Sequence, residues 1–232
     1  MNQQIVTLSF FKYEGFKNAW WAFVQMGRLP KELQKTQGLS FVKMLGSGGK
    51  QGFSIFPNFG LYGLLCVWEN EQKQQDFFQK SSIFQSLQTT AKANQTIFLQ
   101  PLQAHGKWDG KEPFSCKAQK IDKTQKVAVI TRAKIKWSKV LQFWSVVAPA
   151  SKNMYQHAGL IFSVGIGELP LIQQATFSIW ENVDAMTDYA YKSPQHRKVL
   201  QLTKKLQWYS EELFARFAIV RSEGGGIINL SS

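Results

Sequence analysis

Histidine, cysteine and acidic residues are all scarce in this chain. Three of its 232 residues are histidine and two are cysteine. Cys66 and Cys116 have no metal-ligand spacing, and no Cys/His pair does, so a zinc site is not expected. Cys66 lies within the apolar run LLCVW, where a thiol behaves as a small hydrophobe. That usage fits a reducing compartment. No Gly-x-Ser-x-Gly elbow is present, so Ser-His-Asp chemistry is not expected. Gly46–Gly49 lacks the Gly-Lys-Ser/Thr ending of a phosphate loop. No run reaches about 18 apolar residues, the length of a membrane span. The first residues show no basic n-region followed by an apolar h-region, so no signal peptide is expected. A cytoplasmic location follows as the expectation.

Acid is outnumbered. Lys and Arg total 28 against 15 Asp and Glu, a formal charge of +13. Such a surface suits an anionic partner, whether nucleic acid, membrane or acidic ligand. The lysines of KAQKIDKTQK and LTKKL lack the interleaved aromatics of single-strand nucleic-acid binders, so they read as solvated faces and no nucleic acid is expected. Aromatics, by contrast, are plentiful, at 14%. Trp20, Trp21, Phe23, Phe41, Trp144 and Phe162 read as core or as the lining of a long apolar pocket.

The chain repeats itself. Trp68-Glu69-Asn70 recurs as Trp180-Glu181-Asn182, an offset of 112. Six of the 14 ungapped positions starting there are identical, where about one is expected by chance. Gly38-Leu39-Ser40-Phe41 pairs with Gly159-Leu160-Ile161-Phe162 at offset 121, and Val6 pairs with Val127 at the same offset. Phe98 pairs with Phe214 and Gly110 with Gly226 at offset 116. Each copy reads as β-α-β-β-α-β, the split βαβ pattern. The fold class is therefore α+β: tandem ferredoxin-like units whose sheets face each other in a dimeric-α+β-barrel-like arrangement. The expected boundaries are a first unit at 1–105, a linker at 106–125, a second unit at 126–222 and a flexible tail at 223–232.

The repeat supplies a control for the histidines. Residue 84 aligns with residue 196, where Phe84 meets His196. The shared apolar spacing marks both as inward-facing. An inward imidazole needs a partner. That partner is either a hydrogen bond within the core or a metal. With no other ligand-type residue nearby, a metal would be haem iron, whose porphyrin supplies the remaining ligands. Arg216 interrupts the apolar strand LFARFAIV, and Arg132 ends VAVITR. Either could bind a cofactor propionate or polarise bound oxygen, or could simply be salt-bridged, with Glu211 and Glu212 close in sequence. His105 and His157 suggest no role.

Taken together, VTLSFF, WWAFVQMG, GLSFVKMLGSG with GFSIFPNFG, HGKWDG followed by PF, VAVITRA, IGELPLIQQATFSIW and WYSEELFARF resemble the spheroidene monooxygenase family, the acyclic carotenoid 2-ketolases. The stretches run in order from residue 6 to about 220. The resemblance implies an oxidoreductase that takes dioxygen and an external electron donor, binds haem b and ketolates an apolar carotenoid. The chain also resembles, more distantly, haem enzymes on the dimeric α+β barrel such as aldoxime dehydratases and chlorite dismutases. Their proximal histidine lies on the helix before the last strand, which implies His196 as metal ligand. Their polar distal residue comes from the following strand, which implies Arg216 as catalytic and cofactor-binding, with Arg132 kept as a second cofactor-binding candidate on its own chemistry. Association with the inner-membrane surface and a homodimer complete the expectation. Other readings are a dehydratase or lyase on the same barrel, a non-catalytic haem or lipophile carrier, and a haem-free structural protein.

Overall fold

The structure, a computed structural model, describes residues 4–49, 56–116, 122 and 124–230, with side chains at all of these except 148–153 and 195–196. The first copy contains β1 (Ile5–Lys12), α1 (Phe16–Leu33), β2 (Leu39–Gly48), β3 (Pro57–Trp68), α2 (Glu71–Lys80), α3 (Ser82–Thr90) and β4 (Ala93–Gly106). The second contains β5 (Val127–Ile135), α4 (Val140–Ser151), β6 (Leu160–Leu169), β7 (Gln173–Trp180), α5 (Val183–Lys192), α6 (Pro194–Leu206) and β8 (Tyr209–Gly224). Local chemistry explains the helix starts. Asn70 and Asn182 each accept a hydrogen bond from the backbone N–H three residues on, at 3.0 and 2.8 Å, satisfying an orphan donor of the first turn. The second helical segment of each copy is broken at Ser81 and Ser193, both extended. Ser81 then caps α3 through Phe84 N–H, and Pro194 opens α6. Ahead of α4, Trp137–Lys139 forms a short 3-10 turn without a side-chain cap.

The eight strands close into one barrel in the order β1-β3-β2-β6-β7-β5-β8-β4, all pairs antiparallel. Two seams join the copies. The β4–β8 seam is long, from Gln95 opposite Gly224 to Gly106 opposite Leu213. The β2–β6 seam is brief and falls at Gly46 opposite Gly167. Alternate residues of every strand enter the barrel. They form one core that includes Leu8, Phe10, Leu65, Ile130, Phe177 and Phe217. The other face of each sheet is covered by that copy's own helices.

Two stretches expected to stay outside the fold are packed. In the linker, Trp108 is fully buried and Phe114 meets Phe217 edge-on at 5.0 Å. At the C-terminus, Ile228 enters the barrel core. Its backbone exchanges two hydrogen bonds with the Gln95 amide, at 3.0 and 2.7 Å, and Lys126 donates to Leu230 O at 2.7 Å. The tail was read as flexible. Its two isoleucines and Leu230 were the overlooked signal.

Register corrects the repeat alignment. Ile5 lies opposite Trp68 and Val127 opposite Trp180, so Ile5, not Val6, is the counterpart of Val127. Thr7 then matches Val129, and their β4 and β8 partners, Phe98 and Arg216, match each other. Gly106 and Gly224 become counterparts as well. Both have positive φ, and a Cβ on either would lie 2.2–2.3 Å from a carbonyl of the facing strand.

If the tail is an integral plug, Ile228→Ala should destabilise the protein by about 2–3 kcal/mol, the cost of a large-to-small core change. Urea unfolding measures this. A loss below about 0.5 kcal/mol, typical of surface positions, would show that the tail is not packed.

Candidate functional site

The two copies treat their helix–sheet layers differently. In the first, 14 buried residues form one apolar cluster, among them Phe11, Val42, Met44, Leu64, Cys66, Phe84 and Trp68. Phe84 is stacked on Phe78 with centroids 4.3 Å apart and meets Phe11 at 5.9 Å. In the second copy, the described residues form two separate clusters. One comprises Val127, Val129, Met154, Trp180 and Met186; the other comprises Ile135, Phe143, Trp144, Val147 and Trp208.

Register shows what separates them. Phe11 is replaced by Ala133, Val42 by Ser163, Met44 by Gly165, Leu64 by Thr176, Cys66 by Ser178 and Phe98 by Arg216. Each change removes apolar volume, adds a polar group, or does both. All six fall on the helix-facing side, because their strand neighbours Val164, Ala175, Phe177, Ala215 and Phe217 face the barrel core. Thr131 is exposed, whereas its counterpart Ser9 is buried and bonded to Thr96 at 2.7 Å.

Three side-chain atoms on this face are buried without a hydrogen-bond partner among the described residues: Ser163 Oγ, Thr176 Oγ1 and Arg216 Nε. Buried polar atoms are seldom left so, and each such atom calls for an explanation. A thinned layer carrying orphaned donors suits a bound group that is largely apolar with polar edges. Phe84, the counterpart of position 196, packs against Phe11, whose own counterpart is Ala133. Position 196 on α6 is the counterpart of Phe84 on α3. Its side chain lies outside the described residues.

Arg132 is elsewhere. It faces the barrel interior and is 3% exposed. Its guanidinium pairs with Glu211, with Asp109 at 3.2 Å and with Glu168 at 3.8 Å, and it lies over the Trp108 ring at 5.5 Å. Lys43 joins Asp109 and Glu168. Trp108 Nε1 donates to Glu168 at 2.7 Å. Glu211 also accepts from the backbone of Asp109 and Gly110. The network thus ties β2, β5, β6, β8 and the linker together at one barrel end. Arg132 and Arg216 sit on opposite faces of the same sheet, so the structure does not bring them into one site. Strand parity had left Arg132's face undecided.

His157 accepts from Gly159 N–H at 3.2 Å and packs edge-on against Trp180 and Tyr189. His105 stacks on Phe214 at 5.2 Å. Both are accounted for by local packing. Among the described residues no group of three His, Cys, Asp or Glu side chains could hold a metal ion. Ser163, Gly165, Thr176 and Ser178 were not singled out from the sequence. The ungapped offset of 112 already aligned Leu64 with Thr176 and Cys66 with Ser178, and this loss of apolar character was the available signal.

A barrel of two fused ferredoxin-like units with one modified layer defines the class: a duplicated member of the dimeric α+β barrel proteins. Solved structures agree on the fold. An aldoxime dehydratase in complex with butyraldoxime matches 94% of this chain and 80% of its own, with a TM-score of 0.61 at 9% identity. Another aldoxime dehydratase gives a TM-score of 0.58 at 10% identity, over 94% of this chain and 82% of its own. No family model matches. Sequence relatives are more specific. Spheroidene monooxygenase of Cereibacter sphaeroides is 35% identical over 95% of this chain and 68% of its own length. That of Rhodobacter capsulatus is 32% identical over 95% and 92%, and that of Rubrivivax gelatinosus 32% identical over 81% and 71%. The chain belongs to the spheroidene monooxygenase family.

The ion-pair network makes acid stability predictable. Burial raises the carboxyls of Asp109 and Glu211. For Glu211 the backbone N–H groups of Gly110 and Asp109 and the Arg132 guanidinium outweigh burial; for Asp109, Lys43 and Arg132 do so. Both carboxyls titrate below their ordinary values. A carboxylate depressed in the folded state stabilises above its unfolded pKa, and that contribution is lost as pH falls through the folded value. Unfolding free energy should therefore drop below about pH 4.5. Glu211→Gln should cost about 2 kcal/mol at neutral pH, by leaving Arg132 under-paired, and should flatten the acid limb. An unchanged acid limb would contradict this.

Proposed function

We propose that this protein is an oxygen-dependent monooxygenase that introduces a keto group into an acyclic carotenoid such as spheroidene, with a b-type haem in the helix–sheet layer of the second copy. Family membership supports the reaction class. The observation that carries the cofactor assignment is the replacement of Phe11, Met44, Leu64 and Phe98 by Ala133, Gly165, Thr176 and Arg216 on one sheet face. Protein interiors are close-packed, and an emptied layer is destabilising unless something fills it. A porphyrin is flat and apolar with anionic edges, which matches a layer lined by small residues, two hydroxyls and one guanidinium.

His196 would hold the iron through a neutral imidazole nitrogen, the commonest metal ligand. Bound there, haem would supply the binding and activation of dioxygen. Arg216 stays charged at every relevant pH. Its forked donors would neutralise a propionate or hydrogen-bond to the oxygen side. Ser163 and Thr176 hydroxyls are placed on the same face to donate to polar atoms of a bound group. The flanking apolar clusters, with Val129, Met154, Trp144 and Trp208, would keep water from the reacting carbon.

The overall chemistry balances as follows. One C–H bond of the polyene terminus becomes C–OH. A second insertion at the same carbon gives a geminal diol, which loses water to leave the ketone. Each insertion consumes one dioxygen, two electrons and two protons and releases one water. An external electron donor must therefore serve the protein. The likeness to aldoxime dehydratases is one of fold and carries no dehydratase activity to this chain.

Refilling the layer tests the reading. Ala133→Phe combined with Arg216→Phe restores the first copy's side chains. This variant should fold cooperatively yet retain less than about a tenth of the wild-type haem on purification, since overpacking of about one ring leaves no room. His196→Ala should fold and lose the Soret band. A refilled variant carrying full haem, or a His196→Ala protein with an unaltered Soret band, would overturn the assignment.

A further inference from the structure

Trp20 and Phe23, read from sequence as core or pocket lining, are on the surface, and Phe16 and Phe59 lie beside them. Phe16, Trp20 and Phe23 of α1 are 85%, 56% and 45% exposed, and Phe59 of β3 is 51% exposed. Their rings form one continuous ridge. Phe16 stacks on Trp20 at 6.4 Å, Trp20 meets Phe23 at 5.6 Å, and Phe23 meets Phe59 edge-on at 5.7 Å. Spacings of four and three residues put the three helical rings on one face. The opposite face, with Ala22, Gln25, Leu29 and Leu33, holds α1 to the sheet. The fold therefore does not use the ridge.

Charge beside the ridge is predominantly basic. Lys17, Arg28 and Lys31 are exposed and fall roughly 60–120° around the helix from Phe16. The only acids from residue 12 to residue 35 are Glu14 and Glu32. Glu14 is met by Lys92 at 2.6 Å and Lys12 at 3.7 Å, so its charge is compensated. An aromatic ridge flanked by a basic stripe has the composition of a helix that lies in a lipid interface. Trp and aromatic rings favour the headgroup boundary, and lysine and arginine are drawn to anionic headgroups.

We propose that this face of α1 seats the protein on an anionic lipid bilayer, with Phe16, Trp20, Phe23 and Phe59 at the headgroup–acyl boundary and Lys17, Arg28 and Lys31 on the headgroups. Charge argues against a second copy of the chain as occupant. A two-fold pairing with the two helices antiparallel would bring each basic stripe against its own image, whereas an anionic surface complements the stripe in any orientation. The docking surface stands on its own observations. Its failure would leave the haem and monooxygenase reading untouched.

The test is sedimentation of the full-length protein with vesicles of phosphatidylcholine alone or with about one-third phosphatidylglycerol. Wild-type protein should bind the anionic vesicles at least about tenfold more tightly than the zwitterionic ones. The Phe16→Ser/Trp20→Ser/Phe23→Ser variant should bind them about tenfold less tightly, with an unchanged melting temperature, since these are surface positions. Lys17→Gln/Arg28→Gln/Lys31→Gln should lose most of the preference for anionic lipid. No binding by the wild-type protein would overturn the proposal. So would a ridge variant that binds as wild type does. A wild-type dimer that the ridge variant converts to monomer, without vesicle binding, would assign the surface to a second copy instead.

Discussion

Each four-stranded unit has an apolar inner face that helices on its other side cannot reach. The fold depends on that constraint. Fusing two copies lets each sheet cover the other, and the barrel closes through a long β4–β8 seam and a brief glycine seam at Gly46 and Gly167. Once the inner faces are committed to each other, they hold one apolar core with an ion-pair network at one end. The outer faces become independent of one another. One copy can therefore change its helix–sheet layer while the other keeps the whole barrel folded.

The second copy has used that freedom. The first layer is closed by aromatic contacts such as Phe84 on Phe78 and Phe11. In the second, the matching sheet positions carry alanine, serine, glycine, threonine and arginine, and the apolar contacts divide into two clusters. Of the six buried side-chain atoms without a partner among the described residues, three, Ser163 Oγ, Thr176 Oγ1 and Arg216 Nε, lie on this face. Duplication followed by smaller and more polar residues in one layer leaves the other layer as scaffold. Rigid flanking elements of this kind hold a bound group in a fixed orientation.

Much of this was legible in the sequence. The Trp-Glu-Asn repeat revealed the duplication, and strand and helix periodicity gave the α+β order. Parity was the limit. A strand alternates faces at every residue, so a one-residue error in alignment reverses which side chains meet. Matching Val6 with Val127, and Phe98 with Phe214, concealed the replacement of Phe98 by Arg216. The same ambiguity left Arg132 and Arg216 looking alike, although one binds carboxylates inside the barrel and the other faces the helices. The α1 ridge escaped notice because helical spacing alone does not say which face of an aromatic-rich helix meets the sheet.

The central claim is that the second copy's layer holds haem with an open coordination position. The absorption spectrum of the wild-type protein from haem-replete cells tests it most directly. The account predicts about one haem per chain and a Soret band that shifts when carbon monoxide is added to the reduced protein. A colourless protein that still converts spheroidene to its ketone would contradict it.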